Sequence, residues 1–214
     1  MDLRDVTLVC QDWGGPIGLA QAATMPERFA RLVIMNTWLH HPGFEYTPAI
    51  RTWIAAWTPG GLFDRNTPNA ALVPLISARK AEREAIFAAL LSDSEPKFTD
   101  DALRMYAGFA APFRGLPDEA FNGLRMFPLS IPLYDYDSGN GAAQTMHHHL
   151  LLGWSKPVHV VWGGADDVFT ENWGRTWAEQ LGATFDLIPD ADHFLQNTHG
   201  EAVVDIVLDR INVE

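Results

Sequence analysis

The sequence is poor in cationic side chains, nearly devoid of thiols and free of long apolar runs. Its 214 residues carry 15 Lys and Arg against 27 Asp and Glu, a formal charge of −12 with histidine neutral. Without a basic stripe to displace counterions, a nucleic-acid partner is excluded. A single cysteine, Cys10, leaves no disulfide framework and no multi-thiolate zinc site, and it agrees with a reducing compartment. No apolar stretch approaches the ~18–20 residues that span a bilayer. The opening Met1-Asp2-Leu3-Arg4-Asp5 is too polar and acidic for a signal peptide. The expectation is a soluble, cytoplasmic chain without membrane contact. At 47% hydrophobic and 20% charged residues it has a globular composition, too apolar for a disordered chain.

What is present first is a βαβ rhythm. Val6-Thr7-Leu8-Val9-Cys10 is an unalternating, β-branched run, as expected of a strand covered on both faces. Gln11 to Pro16 reads as a tight turn, Ile17 to Ala23 as a helix ending near Met25-Pro26, and Arg31 to Asn36 as a second strand. From Thr37 to about Gly141 the texture changes to Pro- and Gly-punctuated segments with helical periodicity, clearest over Ala78–Leu91. The rhythm then returns: a helix over Ala142–Gly153, a strand over Val158–Trp162, a helix over Thr170–Leu181, a strand over Thr184–Ile188 and a closing helix over His199–Ile211. The fold class is α/β, a parallel sheet with helices on both faces. Residues 1–36 and 141–214 form the core in two parts, and 37–140 form a helical insertion.

In such a sheet reactive groups collect beyond the carboxyl ends of the strands. Asp12 follows the first strand, Asp166 and Asp167 the third, and Asp192-His193 the fourth. Cys10-Gln11-Asp12-Trp13-Gly14 has the spacing of a nucleophile elbow, a strand-to-helix turn so sharp that the residues two before and two after must be small. An ionised carboxylate at that position attacks saturated carbon without a base to activate it, giving an ester. The plainer role for Asp12 is a helix N-cap. His193 falls where the histidine follows nucleophile and acid in chain order, and the acid is Asp166, with Asp167 as the fallback. His147-His148-His149 cannot all face one ion from consecutive helical positions, and is read as a partly buried patch rather than a metal site.

These motifs resemble the α/β-hydrolase superfamily, and within it the haloalkane dehalogenases. The carrying segments are Val9-Cys10-Gln11-Asp12-Trp13-Gly14-Gly15-Pro16-Ile17-Gly18, Met35-Asn36-Thr37-Trp38, Trp162-Gly163-Gly164-Ala165-Asp166 and Asp192-His193-Phe194-Leu195-Gln196. Ala111-Pro112-Phe113 and Gly123-Leu124-Arg125-Met126-Phe127-Pro128 are similar to a cap signature of the subfamily with an Asp acid. The resemblance implies that residues 37–140 are a cap, that Asp12 displaces halide from a haloalkane, and that His193, oriented by Asp166, activates the water that hydrolyses the ester. It implies halide binding by the indole of Trp13 and by a cap tryptophan, first Trp53, with Trp57 and Trp38 behind it. The backbone N–H of Trp13 would supply half of an oxyanion hole. The partners implied are a small apolar halogenated substrate, water and a halide ion; no metal and no organic cofactor is required.

The same resemblance implies four strands and a His-Gly-x-Pro loop ahead of the nucleophile strand, on the order of 80–100 residues. This chain has five residues there. The expectation is therefore a truncated chain: a monomer if completed, and otherwise self-associating through the exposed edge of the Asp12 strand. Half an oxyanion hole would slow ester hydrolysis by roughly a hundredfold or more. Two alternatives accompany the dehalogenase reading. One is a non-catalytic fragment; the other is an epoxide hydrolase with the same Asp–His–Asp set, which needs two tyrosines from Tyr46, Tyr106, Tyr134 and Tyr136.

Overall fold

A computed structural model describes residues 2–58, 117, 119, 122–133 and 139–212. The expected helix Ala78–Leu91, the segment Ala111–Phe113 and the tyrosines Tyr106, Tyr134 and Tyr136 lie outside the described residues. By its internal contacts the chain divides into two compact units, Met1–Thr47 with Pro132–Glu214, and Pro48–Ile131. The second unit is thus narrower at both ends than the expected insertion 37–140.

The first unit is built on four strands, β1 (Val6–Asp12), β2 (Phe29–Thr37), β3 (Val158–Gly163) and β4 (Thr184–Ile188). They lie in chain order, each parallel to its neighbour. The apolar, β-branched runs form the interior strands because both their faces are covered: all six residues of β3 and seven of the nine in β2 are buried. β1 and β4 are mostly half-buried, and among the described residues β1 is paired with β2 alone. Val9 on β1 is 48% exposed.

Alternation assigns the two faces. Val33, Met35 and Val161 join Ile188, Ala191, Leu195 and Val203 in one core, completed by Ala202, Ile206 and Val207. That face is covered by the short helix α6 (Leu195–Thr198) and by α7 (Gly200–Asn212). On the opposite face Trp162 is fully buried against Gly174 of α5 (Glu171–Leu181), where an added Cβ would stand 2.5 Å from the indole. The segment after β1 starts with a π-wound turn, Gly15–Leu19, and continues as α1 (Ala20–Thr24). It packs beside α4 (Gly139–Leu151). At the far end of α5, Gly182 takes a left-handed φ of 61° and its N–H closes on the carbonyls of Ala178 and Glu179.

In the second unit α2 (Pro48–Trp57) packs against α3 (Asn122–Leu129). Ile50, Ile54 and Trp57 form the buried stripe of α2, one helical turn apart. Among the described residues no helix is long and apolar enough to cross a membrane.

Candidate active site

Asp12 ends β1 with a φ of +48°, in the left-handed region that only a sharp turn imposes on a residue with a side chain. Thr37 at the end of β2 donates its hydroxyl to the Asp12 carbonyl. The steric demand at this elbow falls one residue later than the spacing suggests. A Cβ on Gly14 would meet Cys10 Cβ at an ordinary 3.6 Å, whereas a Cβ on Gly15 would collide with Thr37. Gly15 is therefore the position that lets the turn pack onto β2.

His193 comes from the loop after β4 and is buried. Its Nδ1 lies 2.9 Å from Asp166 Oδ2 and its Nε2 3.6 Å from Asp12 Oδ1. Asp12, Asp166 and His193 lie together, and the carboxylate on His193 Nδ1 is that of Asp166. Phe169 and Phe194 wall the imidazole at centroid distances of 5.2 and 4.8 Å. The Asp166 carboxylate, fully buried, accepts three hydrogen bonds: from His193, from Asn36 Nδ2 at 2.7 Å and from the Val168 N–H at 2.7 Å.

Burial works against charge on both partners, and the pair overcomes it. For His193 burial pulls the imidazole pKa down. The Asp166 charge, the Asp12 contact, the Asp166 hydrogen bond and the Asp12 charge outweigh it and raise the value from 6.5 to about 10. Burial likewise pushes the Asp166 carboxyl up, and the charge of His193 with the three hydrogen bonds brings it below the usual carboxylate value. His193 is therefore a histidine held between two carboxylates, a strong base whose strength depends on both. Cys10, at the head of the elbow, is buried and its thiol is pushed up to about 12, which leaves it inert.

One member of this network, Asn36, stands in the sequence only within the segment Met35-Asn36-Thr37-Trp38, with no role of its own. Asn36, next to last in β2, is fully buried, with a φ of 24°. Its Oδ1 accepts the Gly163 N–H at 2.8 Å, which fixes the amide so that Nδ2 donates to Asp166 and, at 3.3 Å, to the Gly163 carbonyl. The available signal was position: Asn36 is the polar residue at the carboxyl end of the second strand, where the other three strands carry Asp12, Asp166 and His193.

Trp13 sits next to Asp12 with its ring edge-on to Trp38 at 4.9 Å, and Trp38 stacks in turn on Phe169 at 5.2 Å. Trp38 is 1% exposed, and its indole N–H has no acceptor among the described residues. Trp53 lies on α2, in the second unit, T-shaped against Trp57 at 5.1 Å. In the histidine run, His148 is buried, stacks on His41 at 3.8 Å and meets Gln180 Oε1 through Nε2 at 3.0 Å. Tyr46 is buried with its hydroxyl 2.9 Å from His40 Nδ1.

Residues 1–199 match the model of the alpha/beta hydrolase fold family. The chain belongs to that family. Among its relatives, this hydrolase-fold chain is 29% identical over 219 residues to a haloalkane dehalogenase of Psychrobacter cryohalolentis, covering 99% of this chain and 62% of that protein. It is 27% identical to a cis-3-alkyl-4-alkyloxetan-2-one decarboxylase of Shewanella oneidensis, over 94% of this chain and 58% of that protein. Among solved structures it is similar to the tetrameric haloalkane dehalogenase DpaA of Paraglaciecola agarilytica. The TM-score is 0.67 at 25% identity, with 94% of this chain and 58% of that one covered. The chain thus spans less than two thirds of the length of these relatives.

Proposed function

We propose that this hydrolase-fold chain carries the catalytic residues of a hydrolytic haloalkane dehalogenase. The observation that carries the reading is the carboxylate of Asp12 at the elbow, 3.6 Å from the Nε2 of a histidine whose Nδ1 is held by Asp166 at 2.9 Å. An Asp in this place does what a serine needs its histidine for: it attacks carbon unaided. In the first step an Asp12 oxygen forms a bond to the halogen-bearing carbon as the carbon–halogen bond breaks and the electron pair leaves with halide. In the second, His193 Nε2 takes a proton from water, whose oxygen adds to the Asp12 carboxyl carbon. The tetrahedral intermediate expels alkoxide, which recovers the proton from His193 as alcohol; Asp12, left as the free acid, gives its proton up to solvent and is again a carboxylate. The similarity to dehalogenases over nearly the whole chain supports the substrate class.

Halide must leave against donors rather than a countercharge, and indole supplies such a donor. Trp13, beside the nucleophile, is the first. For the second, Trp53 stands as the family resemblance implies it, and Trp38 has two observations in its favour: its indole N–H is buried without an acceptor among the described residues, and its ring stands T-shaped to that of Trp13. Quenching of tryptophan fluorescence by bromide, compared among the W13F, W38F and W53F variants, identifies the pair: each donor's loss weakens binding.

A second reading has one observation behind it, the oxetanone decarboxylase among the relatives. The deciding experiment assays wild type and Asp12→Ala on 1,2-dibromoethane, 1-chlorobutane, styrene oxide and a cis-3,4-dialkyloxetan-2-one. Halide and alcohol from the first two, absent in D12A, are the expected result. Carbon dioxide from the oxetanone, or diol from the epoxide, without halide release would replace the dehalogenase reading. Wild type matching D12A on all four would make the chain non-catalytic.

A further inference from the structure

We infer that Gln11 is a positioning residue that holds His193 at working distance from Asp12, so that its loss slows hydrolysis of the ester while sparing its formation. The inference rests on the dehalogenase reading above and assigns a division of labour within it. Gln11 immediately precedes the nucleophile on β1 and its side chain leaves the opposite face of the strand from Cys10. Its Nε2 donates to the backbone carbonyl of His193 at 2.8 Å, joining residues 182 apart in sequence. Its Oε1 faces Gln196 Nε2 on α6 at 3.5 Å, so both ends of the amide are oriented consistently.

The loop that carries His193 is bounded behind by β3. A Cβ on Gly163 would stand 2.6 Å from the carbonyl oxygens of both Ala191 and Asp192, so the backbone already packs there at closest approach. Gln11 holds the loop from the other side. The direct contact between His193 and Asp12, at 3.6 Å, is too long to be a restraining hydrogen bond. The amide of Gln11 is therefore a tie between the strand bearing the nucleophile and the loop bearing the base.

The two chemical steps use that tie unequally. Displacement of halide involves the Asp12 oxygen, the carbon and the leaving group, and no proton moves. Hydrolysis requires His193 Nε2 to reach a water that is itself aimed at the Asp12 carboxyl carbon. A misplacement of about 1 Å in such an arrangement costs about a hundredfold in rate.

The test uses Gln11→Met, which keeps the length and removes the donor, and Gln11→Lys, which restores a donor. Halide release from 1,2-dibromoethane is followed before the steady state, with intact mass measured in parallel. Expected for Q11M is a burst of about one halide per site at the wild-type rate, then turnover roughly 10–100-fold slower, with an alkyl adduct accumulating on the protein. Q11K should recover part of the turnover. Equal slowing of both phases, unchanged turnover, or Q11K no better than Q11M would overturn the inference. Should Q11M not fold, Gln11→Asn, one methylene shorter, removes the same tie.

The downfield Nδ1–H resonance of His193 gives a readout that needs no turnover. It should move or broaden in Q11M, and an unchanged line overturns the inference. Failure of the dehalogenase reading looks different, since the wild type itself would then release no halide.

Discussion

Replacing Asp12 by Asn should lower the pH at which His193 releases its proton, and that shift reports how far ester formation loosens the proton on His193. The ester formed at Asp12 is neutral, as Asn is, so the substitution imitates the intermediate. At 3.6 Å, and with an effective dielectric of about 40–80 because Asp12 is a third exposed, the lost attraction is roughly 1–2 kcal/mol, or about one pH unit. Titration of 15N-labelled histidine by NMR measures it directly. Wild type should have the highest midpoint, D12N should fall by about one unit, and Asp166→Asn should fall further because it removes a fully buried carboxylate at 2.9 Å. An unchanged midpoint in D12N would refute the idea that the nucleophile's charge restrains the base.

The same raised value has a consequence for stability. A folded-state pKa of about 10 against an ordinary 6.5 means that the His193 contribution is whole below pH 6.5 and is lost as pH rises through about 10. The lowered Asp166 value contributes above pH 3.8 and is lost as pH falls below it. The stability advantage of wild type over D166N should therefore shrink towards both extremes.

Other perturbations test the scaffold around this pair. Asn36→Leu leaves the Gly163 N–H and one acceptor position on Asp166 unserved in a fully buried site, and should cost about 1–3 kcal/mol in urea unfolding. Gly15→Ala should destabilise the chain by about 1–3 kcal/mol through its collision with Thr37, whereas Gly14→Ala should stay within about 1 kcal/mol. Cys10 should resist thiol reagents in the native state at neutral pH and react promptly in denaturant; rapid native labelling would contradict its burial.

The four strands and their parallel sheet were readable because interior parallel strands are unalternating runs of β-branched residues separated by helical segments. The grouping of Asp12, Asp166 and His193 was readable because strand ends collect at one side of such a sheet. Asn36 was not, because its role depends on Gly163 and Asp166, which are 127 and 130 residues away and meet it only after β2 and β3 pair. The elbow spacing pointed to the glycine after the tryptophan, while the contact that matters is made by Gly15 against a residue of the next strand. Aromatic side chains gave no orientation: nothing in the letters marked Trp38 as the ring that stands edge-on to Trp13. The short helix Leu195–Thr198, a single turn read as loop, was too short for its periodicity to register.

Each strand of the sheet, or the loop at its carboxyl end, supplies one member to the ring Asp12, His193, Asp166 and Asn36, and the outermost tie, from Gln11 to His193, closes a loop of 182 residues. Contacts of such long sequence separation carry the largest loop-closure entropy and form late. β1 and β2 can pair as soon as their short connection exists, whereas the ring waits for a residue 182 positions beyond Gln11. Recovery of the site during refolding should accordingly trail recovery of helix and strand signal, making the site an endpoint marker for completed folding.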